Sequence, residues 1–114
     1  MAMWSRLKSI MGGDRTDYSI AAATTVNVPD STNFVSLTGT ATITTLNGDL
    51  TTRNRLVHFY QSDSGATTFT NTDSTTTAGQ MDLGGSNITL GQTDFLTLWL
   101  RDDGVWVRVS TSNN

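Results

Sequence analysis

Few residues in this chain could carry out chemistry. His58 is the only histidine, all ten acidic residues are aspartate, and cysteine and glutamate are absent. A histidine that acts as a base or a metal ligand needs partners, and only aspartates remain for that role. The candidates are Asp63, Asp73, Asp82, Asp94, Asp102 and Asp103. Each falls at a predicted turn or strand end, where aspartate caps backbone groups. The sequence therefore predicts no catalytic residues, metal site or cofactor, and His58 is interpreted as a packed core or interface histidine in a protein that is not an enzyme.

Residues 94–110 are the most strongly patterned stretch and predict a β-hairpin. Asp103-Gly104 is typical of a two-residue turn. A turn centred there places Leu100 opposite Val107 and makes one face of the hairpin aliphatic. This face is predicted to lie on the core, and it consists of Leu96, Leu98, Leu100, Val105, Val107 and Val109.

The other face of the predicted hairpin is aromatic and basic, which is unusual for a surface in contact with water. Its residues are predicted to form a contact between subunits, namely Phe95, Trp99, Arg101, Trp106 and Arg108. The register places Trp99 opposite Arg108 and Trp106 opposite Arg101, as cation–π pairs worth about 0.5–1 kcal/mol where exposed. Two alternatives stay open. The indoles, with Tyr60, form a platform for stacking sugars, or they belong to the core of the chain itself.

The composition predicts an all-β fold in a single domain, residues 18–114. The 114 residues include 22 Thr, 11 Ser and 8 Asn, but one Lys and no Glu. Threonine favours strands, and serine and asparagine favour turns, whereas Lys and Glu are typical of helix surfaces. The alternation of apolar residues predicts several short strands, among them residues 18–28, 33–37, 40–46 and 56–61. About eight such strands separated by turn signals are typical of a small antiparallel sandwich or jelly roll. No fixed repeat period is found, which argues against a β-helix.

Residues 1–17 differ from the rest and are predicted to be an N-terminal arm and linker. Apolar side chains recur along residues 3–11, and Gly12-Gly13 would end a helix there. These apolar residues are Met3, Trp4, Leu7, Ile10 and Met11. A helix this short is unstable in water, so the arm is predicted to become ordered on a protein partner. A frayed terminus and a weak membrane-surface anchor are the alternatives.

Charge and hydropathy argue against several classes of function. The formal net charge is −3, which argues against a nucleic-acid-binding protein. No apolar run of about 18 residues predicts a membrane-spanning helix, and no signal peptide is expected. Because a cysteine-free domain of this size buries a modest core, association with further copies is the most available source of stability.

Short motifs across residues 27–110 occur in an order that resembles a module of tailed-bacteriophage virion proteins. Residues 39–46 resemble its G-x-x-x-I-T-x-I/L segment, and residues 87–90 resemble its N-I/L-x-L segment. Residues 48–59 and the closing stretch, residues 95–106, are similar to its later pieces. The module is found in tail fibres, spikes, and head fibre or decoration proteins. The resemblance implies an all-β, usually trimeric, structural part of a phage particle.

The arm and the resemblance together predict a capsid decoration (cement) protein on the outer surface of the phage head. Its expected partners are further copies of itself, as a trimer, and the major capsid protein, which the arm binds. The alternative is a receptor- or glycan-binding domain of a tail fibre, spike or head fibre, with a host surface glycan as its ligand. Neither function involves nucleic acid, a membrane or a cofactor.

Overall fold

A computed structural model describes residues 17–29, 32–48 and 53–112 of the chain. The regular structure in these residues is β, which confirms the predicted all-β class. The strands are β1 (Asp17–Ala21), β2 (Thr25–Val28), β3 (Phe34–Thr38), β4 (Ala41–Ile43), β5 (Thr45–Gly48), β6 (Arg55–Gln61), β7 (Thr67–Phe69), β8 (Met81–Asp82), β9 (Ile88–Leu90), β10 (Phe95–Leu100) and β11 (Trp106–Ser112). Across the described residues, no helix has the length and apolar character needed to span a membrane.

The first half of the chain winds into stacked turns whose strands run parallel. β1 lies beside β3, and β3 lies beside β6. In the same way β2 pairs with β5, and β4 pairs with β7. Each of these strands stacks on a strand from the preceding turn, which is the arrangement of a β-solenoid.

The parallel strands stack although the sequence has no fixed repeat, because successive turns of the chain differ in length. Asp17 pairs with Phe34 and Phe34 pairs with His58, so successive turns advance by 17 and then 24 residues. A fixed period is therefore not required for parallel stacking in so short a solenoid. The expectation that parallel stacking of this kind requires a fixed repeat period was therefore wrong.

Corners between the sheets divide two stretches that the sequence pattern predicted as single strands. Residues 18–28 form β1 and β2, and at their corner the N–H of Ala22 donates to the carbonyl of Thr38 at 2.8 Å. Residues 40–46 contribute to β4 and β5, and at that corner the N–H of Thr44 donates to the carbonyl of Thr24 at 2.9 Å. At each corner, the backbone N–H therefore bonds to a carbonyl of a neighbouring turn, although the corner residue lies outside the β-sheets.

Most strands that the second half of the chain adds pair antiparallel, although β8 pairs parallel with β11, so the large sheet and the β4-β7-β9 sheet are mixed. β10 pairs antiparallel with β6 and β11, and β9 pairs antiparallel with β7. The large sheet has the order β1-β3-β6-β10-β11-β8, and the smaller sheets are β2-β5 and β4-β7-β9. This solenoid-like arrangement differs from the wholly antiparallel sandwich or jelly roll that the strand spacing predicted.

The hydrophobic core draws on strands of all three sheets. Phe59 lies near its centre, with its ring edge-on to Phe69 and Trp106 at centroid separations of 5.3 and 6.1 Å. Such pairs contribute about 0.5–1.5 kcal/mol beyond the area that they bury. The core cluster consists of Val26, Val28, Val35, Leu37, Ile43, Leu46, Val57, Phe59, Phe69, Met81, Leu83, Leu90, Leu96, Leu98, Leu100 and Trp106.

The predicted closing hairpin is present, but its register is one residue away from the prediction. Leu100 pairs with Trp106 rather than with Val107. Because side chains alternate along a strand, a shift of one residue exchanges the two faces of β11. Trp106 therefore lies in the core, where its Nε1–H donates to the carbonyl of Leu46 at 2.7 Å.

The geometry of the turn explains the shift in register. The N–H of Gly104 donates to the carbonyl of Arg101 at 3.0 Å, so the turn is centred on Asp102-Asp103. Gly104 follows with a φ of 86°. A three-residue loop that ends in a left-handed glycine is a common alternative to the two-residue turn predicted on Asp103-Gly104.

The aliphatic face of the hairpin is confirmed on β10 and corrected on β11. Leu96, Leu98 and Leu100 are buried in the core as predicted, and Val105 is also buried. On β11, in contrast, Val107 shares the opposite face with Trp99, and Val109 is 54% exposed.

A candidate contact surface on the large sheet

His58 lies on β6, on the side of the large sheet that faces away from the core cluster. Its ring stacks on Phe34 at a centroid separation of 5.1 Å, and its Nδ1 lies 2.8 Å from Oγ1 of Thr97. Burial of the ring lowers the pKa of the imidazole below its ordinary value. No cluster of His, Asp, Glu or Cys suited to a metal ion occurs within residues 17–29, 32–48 and 53–112. The neighbours of His58 are those of a packing residue.

The stability of the protein is expected to fall as the pH drops below the ordinary histidine pKa of 6.5. The lowered pKa means that the unfolded chain takes up the proton before the folded chain does, which favours unfolding. The His58→Gln variant should lack this dependence. Urea unfolding between about pH 8 and pH 5 keeps clear of the ordinary carboxyl range. An equally steep loss of stability in the variant would contradict the assignment to His58.

Several aspartates of the described residues accept hydrogen bonds in turns. Asp63 accepts hydrogen bonds from the N–H groups of Gly39 and Gly65 at 2.9 and 3.0 Å, and from Nε2 of Gln61 at 2.8 Å. These bonds, with Gly39 contributing most, hold the pKa of the Asp63 carboxyl below its usual value. Backbone N–H groups also bind the carboxylates of Asp82, Asp94 and Asp103. The predicted capping role is confirmed for these four residues.

The outer face, defined as the side of the large sheet away from the core cluster, exposes apolar side chains. Leu56, Trp99 and Val107 lie side by side on β6, β10 and β11, because Trp99 pairs with both of the others. We call these three residues the outer row. Leu56 is 42% exposed and Trp99 is 38% exposed, whereas Val107 is half-buried. The outer row carries no charge and extends across three adjacent strands.

The indole of Trp99 is held in place by its polar edge. Its Nε1–H donates to Oδ1 of Asn54 at 3.0 Å. Asn54 has a φ of 65°, a conformation that asparagine tolerates better than most residues. Since the donor of the ring is already satisfied, the exposed part of the indole offers apolar surface to a partner. A side chain fixed in advance loses less conformational entropy on binding.

Further aromatic residues continue the outer face beyond the outer row. The rings of Tyr60 and Phe95 are 4.7 Å apart, and both side chains are half-buried. At the tip of the hairpin, Arg101 forms an ion pair with Asp103 at 2.6 Å. The charged groups of the hairpin tip therefore lie at one end of the outer face and not within the outer row.

The structure separates the five residues predicted to form the subunit contact. Phe95 and Trp99 lie on the outer face, Arg101 binds Asp103, and Arg108 is exposed on β11. Trp106 is fully buried in the core, so its predicted exposure was wrong. The predicted pairing of each tryptophan with an arginine across the hairpin is also corrected, because the observed register places aliphatic residues opposite both rings.

The pattern of the sequence did not single out Leu56 and Val107 for this surface. Leu56 begins a run whose side chains are mostly apolar on both faces of the strand. The alternation pattern therefore did not show that Leu56 would be exposed. Val107 was assigned to the core by the shifted register. The predicted docking residues of the arm, Met3, Trp4, Leu7, Ile10 and Met11, lie outside the described residues.

A scan against protein-family models finds no match to this chain, and neither a search of curated proteins nor a search of solved structures finds one.

Proposed function

We propose that this protein is a structural component of a tailed-bacteriophage particle, a homotrimeric decoration (cement) protein that binds the outer surface of the head. The observation that carries the proposal is the outer row, an uncharged and partly exposed strip across three strands with a hydrogen-bonded indole at its centre. The order of motifs along residues 27–110 supports the phage assignment. An exposed apolar patch of this kind is typical of a surface that binds another protein.

In the proposed trimer, the outer face of each copy packs against its neighbour. Trp99 and Phe95 contribute aromatic area, and Leu56 and Val107 complete the contact. Full burial of one such side chain contributes about 1.5–3 kcal/mol, part of which offsets the lost freedom of the associating chains. Trp106 contributes only indirectly, by fixing β11 against the core. Arg101 and Arg108 lie at the margins, where charged residues are common in interfaces.

A decoration protein strengthens a shell because it binds only the assembled form. Binding to that form stabilises it by mass action. Three linked copies raise the effective concentration of each docking segment at the shell. The proposed docking segment is the arm, whose apolar residues gain order when they bind the major capsid protein.

Saturable binding is expected when the purified protein is added to heads of the encoding phage that lack it. The Trp4→Ala/Leu7→Ala variant should bind at least about a hundredfold more weakly, because the proposed contact with the head loses two apolar side chains that it would bury. Thr42→Ala, an exposed position on β4, is the matched control and should bind normally. Co-sedimentation with heads measures both. Absence of binding by the wild type would overturn the function, and normal binding by the double variant would overturn the role of the arm.

A glycan-binding appendage domain is the second candidate, and the fixed indole of Trp99 is the observation that favours it. A partly exposed ring with its N–H satisfied is suited to stacking on a sugar. This function predicts saccharide binding by a monomer that is lost in Trp99→Ala. The decoration function predicts no such binding, so a glycan-binding screen of the two proteins separates the candidates.

A further inference from the structure

Asn47 and Gly48 form the only Asn-Gly pair in the sequence. Such pairs usually form turns, but here both residues lie in β5, opposite Asn27 and Val28 of β2. The side chain of Asn47 is exposed, and its Nδ2–H donates to Oδ1 of Asn27 at 2.8 Å. The pair is therefore held in an extended strand by its backbone and by its side chain.

An asparagine that precedes glycine can deamidate without an enzyme. The deprotonated backbone nitrogen of the glycine attacks the side-chain amide carbon, ammonia leaves, and a five-membered succinimide ring forms. Water then opens the ring at either carbonyl, which gives aspartate or isoaspartate. Glycine favours the reaction because it has no Cβ atom to hinder the attack or the backbone rotation that precedes it.

The strand geometry at Asn47 opposes closure of this ring. In an extended strand the backbone nitrogen of the next residue is turned away from the side-chain amide, so the peptide between Asn47 and Gly48 must rotate before the ring can form. Pairing with β2 fixes this part of the backbone. The hydrogen bond to Asn27 fixes the amide itself.

The packing of Gly48 also opposes rotation. A Cβ atom at this position would lie 2.4 Å from Cδ2 of Leu100 and 3.1 Å from Cζ2 of Trp106, and both of these side chains are fully buried. The backbone of Gly48 therefore lies directly against the core, where close packing resists displacement. An isoaspartate at position 47 would add one carbon to the main chain and shift Gly48 along the strand, into space that the core already fills.

We propose that Asn47 is a latent deamidation site, which the fold keeps unreactive and which reacts only when β5 separates from β2. Local opening of this kind occurs in folded proteins without complete unfolding. The aspartate product keeps the normal backbone, and its carboxylate accepts from the amide of Asn27 once that amide turns over. The isoaspartate product prevents β5 from returning to its place. This chemistry requires neither the proposed trimer nor a capsid.

Mass spectrometry of the full chain, incubated at mildly alkaline pH with and without urea, measures the protection. Fragment masses locate the conversion of amide to acid at position 47. The reaction in the folded chain is expected to be at least about tenfold slower than in urea, because it requires local opening. Equal rates in the two conditions, or no reaction in urea, would overturn the proposal.

Asn27→Ala tests the hydrogen bond that holds the amide. The variant should deamidate about threefold faster than the wild type when folded, the effect of losing one exposed hydrogen bond, and at the same rate in urea. Asn27→Asp is the matched control and should react as slowly as the wild type, because its carboxylate still accepts from Nδ2 of Asn47. If folded Asn27→Ala reacts no faster than the wild type, the hydrogen bond has no protective role.

Refolding separates the two products. After reaction in urea, the urea is removed, and size-exclusion chromatography separates the folded chains from those that stay unfolded. Isoaspartate in the peptide that contains residue 47 should be concentrated in the unfolded chains, whereas the Asn47→Asp variant should refold as the wild type does. Isoaspartate that is equally abundant in both fractions would show that β5 tolerates it, and would overturn this part of the proposal.

Discussion

Replacement of Trp106 by phenylalanine is expected to lower the free energy of unfolding by about 3 kcal/mol. The indole is fully buried, and its Nε1–H donates to the carbonyl of Leu46 at 2.7 Å. The smaller ring leaves a cavity beside Phe59 and leaves that carbonyl without its donor. Urea unfolding followed by circular dichroism measures the loss.

Trp99→Phe is the matched control, because it makes the same change on the same hairpin at an exposed position. Its effect on the unfolding free energy of the single chain should be below about 1 kcal/mol. If Trp106→Phe cost no more than Trp99→Phe, Trp106 would lie on the surface, as the two-residue turn predicted. The pair of variants therefore also decides the register of the hairpin.

Gly65→Ala is expected to destabilise the protein by about 2–3 kcal/mol, the upper range for overpacking. A Cβ atom at this position would lie 2.1 Å from the carbonyl oxygen of Gly39, which is backbone and cannot rotate away like a side chain. That carbonyl also accepts a hydrogen bond from Nε2 of Gln61 at 3.0 Å. Moving either turn would break the bonds through which Asp63 joins them. Thermal or urea unfolding measures the change.

The control for this substitution is Gly91→Ala. Its added Cβ would lie 3.6 Å from Oδ2 of Asp94, an ordinary contact. Neither glycine has a left-handed φ, so the two variants differ in packing and not in backbone strain. Equal stabilities for the two variants would show that the turns at positions 39 and 65 are not in contact.

Local patterns predicted most of the strands, because alternation and turn residues act over a few neighbouring positions. The strands predicted at residues 33–37 and 56–61 correspond to β3 and β6, and the hairpin predicted at residues 94–110 contains β10. The pairing of these strands was not predictable in the same way. Partners such as Asp17 and Phe34 are distant in sequence and belong to turns of unequal length, so no period marks them.

The residues of the outer face were predicted in part, and a single turn accounts for much of the error. Trp99 and Phe95 were placed correctly because β10 alternates cleanly. Asp103-Gly104 is compatible with a two-residue and a three-residue loop, and the choice between them moves Trp106 from the outer face to the core. Leu56 lies on the outer face of β6, between β3 and β10 in the large sheet. The sequence of β6 alone does not reveal which of its two faces is turned away from the core.

The proposed trimer contact is tested most directly by the accessibility of the Trp99 indole to acrylamide, measured by fluorescence quenching as a Trp4→Phe protein is diluted. Trp106 is buried in the core of each chain and provides a constant background. If the trimer forms as proposed, quenching is weak at high concentration, where a second copy covers the outer row, and becomes stronger as the assembly dissociates. Strong quenching at every concentration would contradict it, because the outer row would then face water in a protein that does not associate through it.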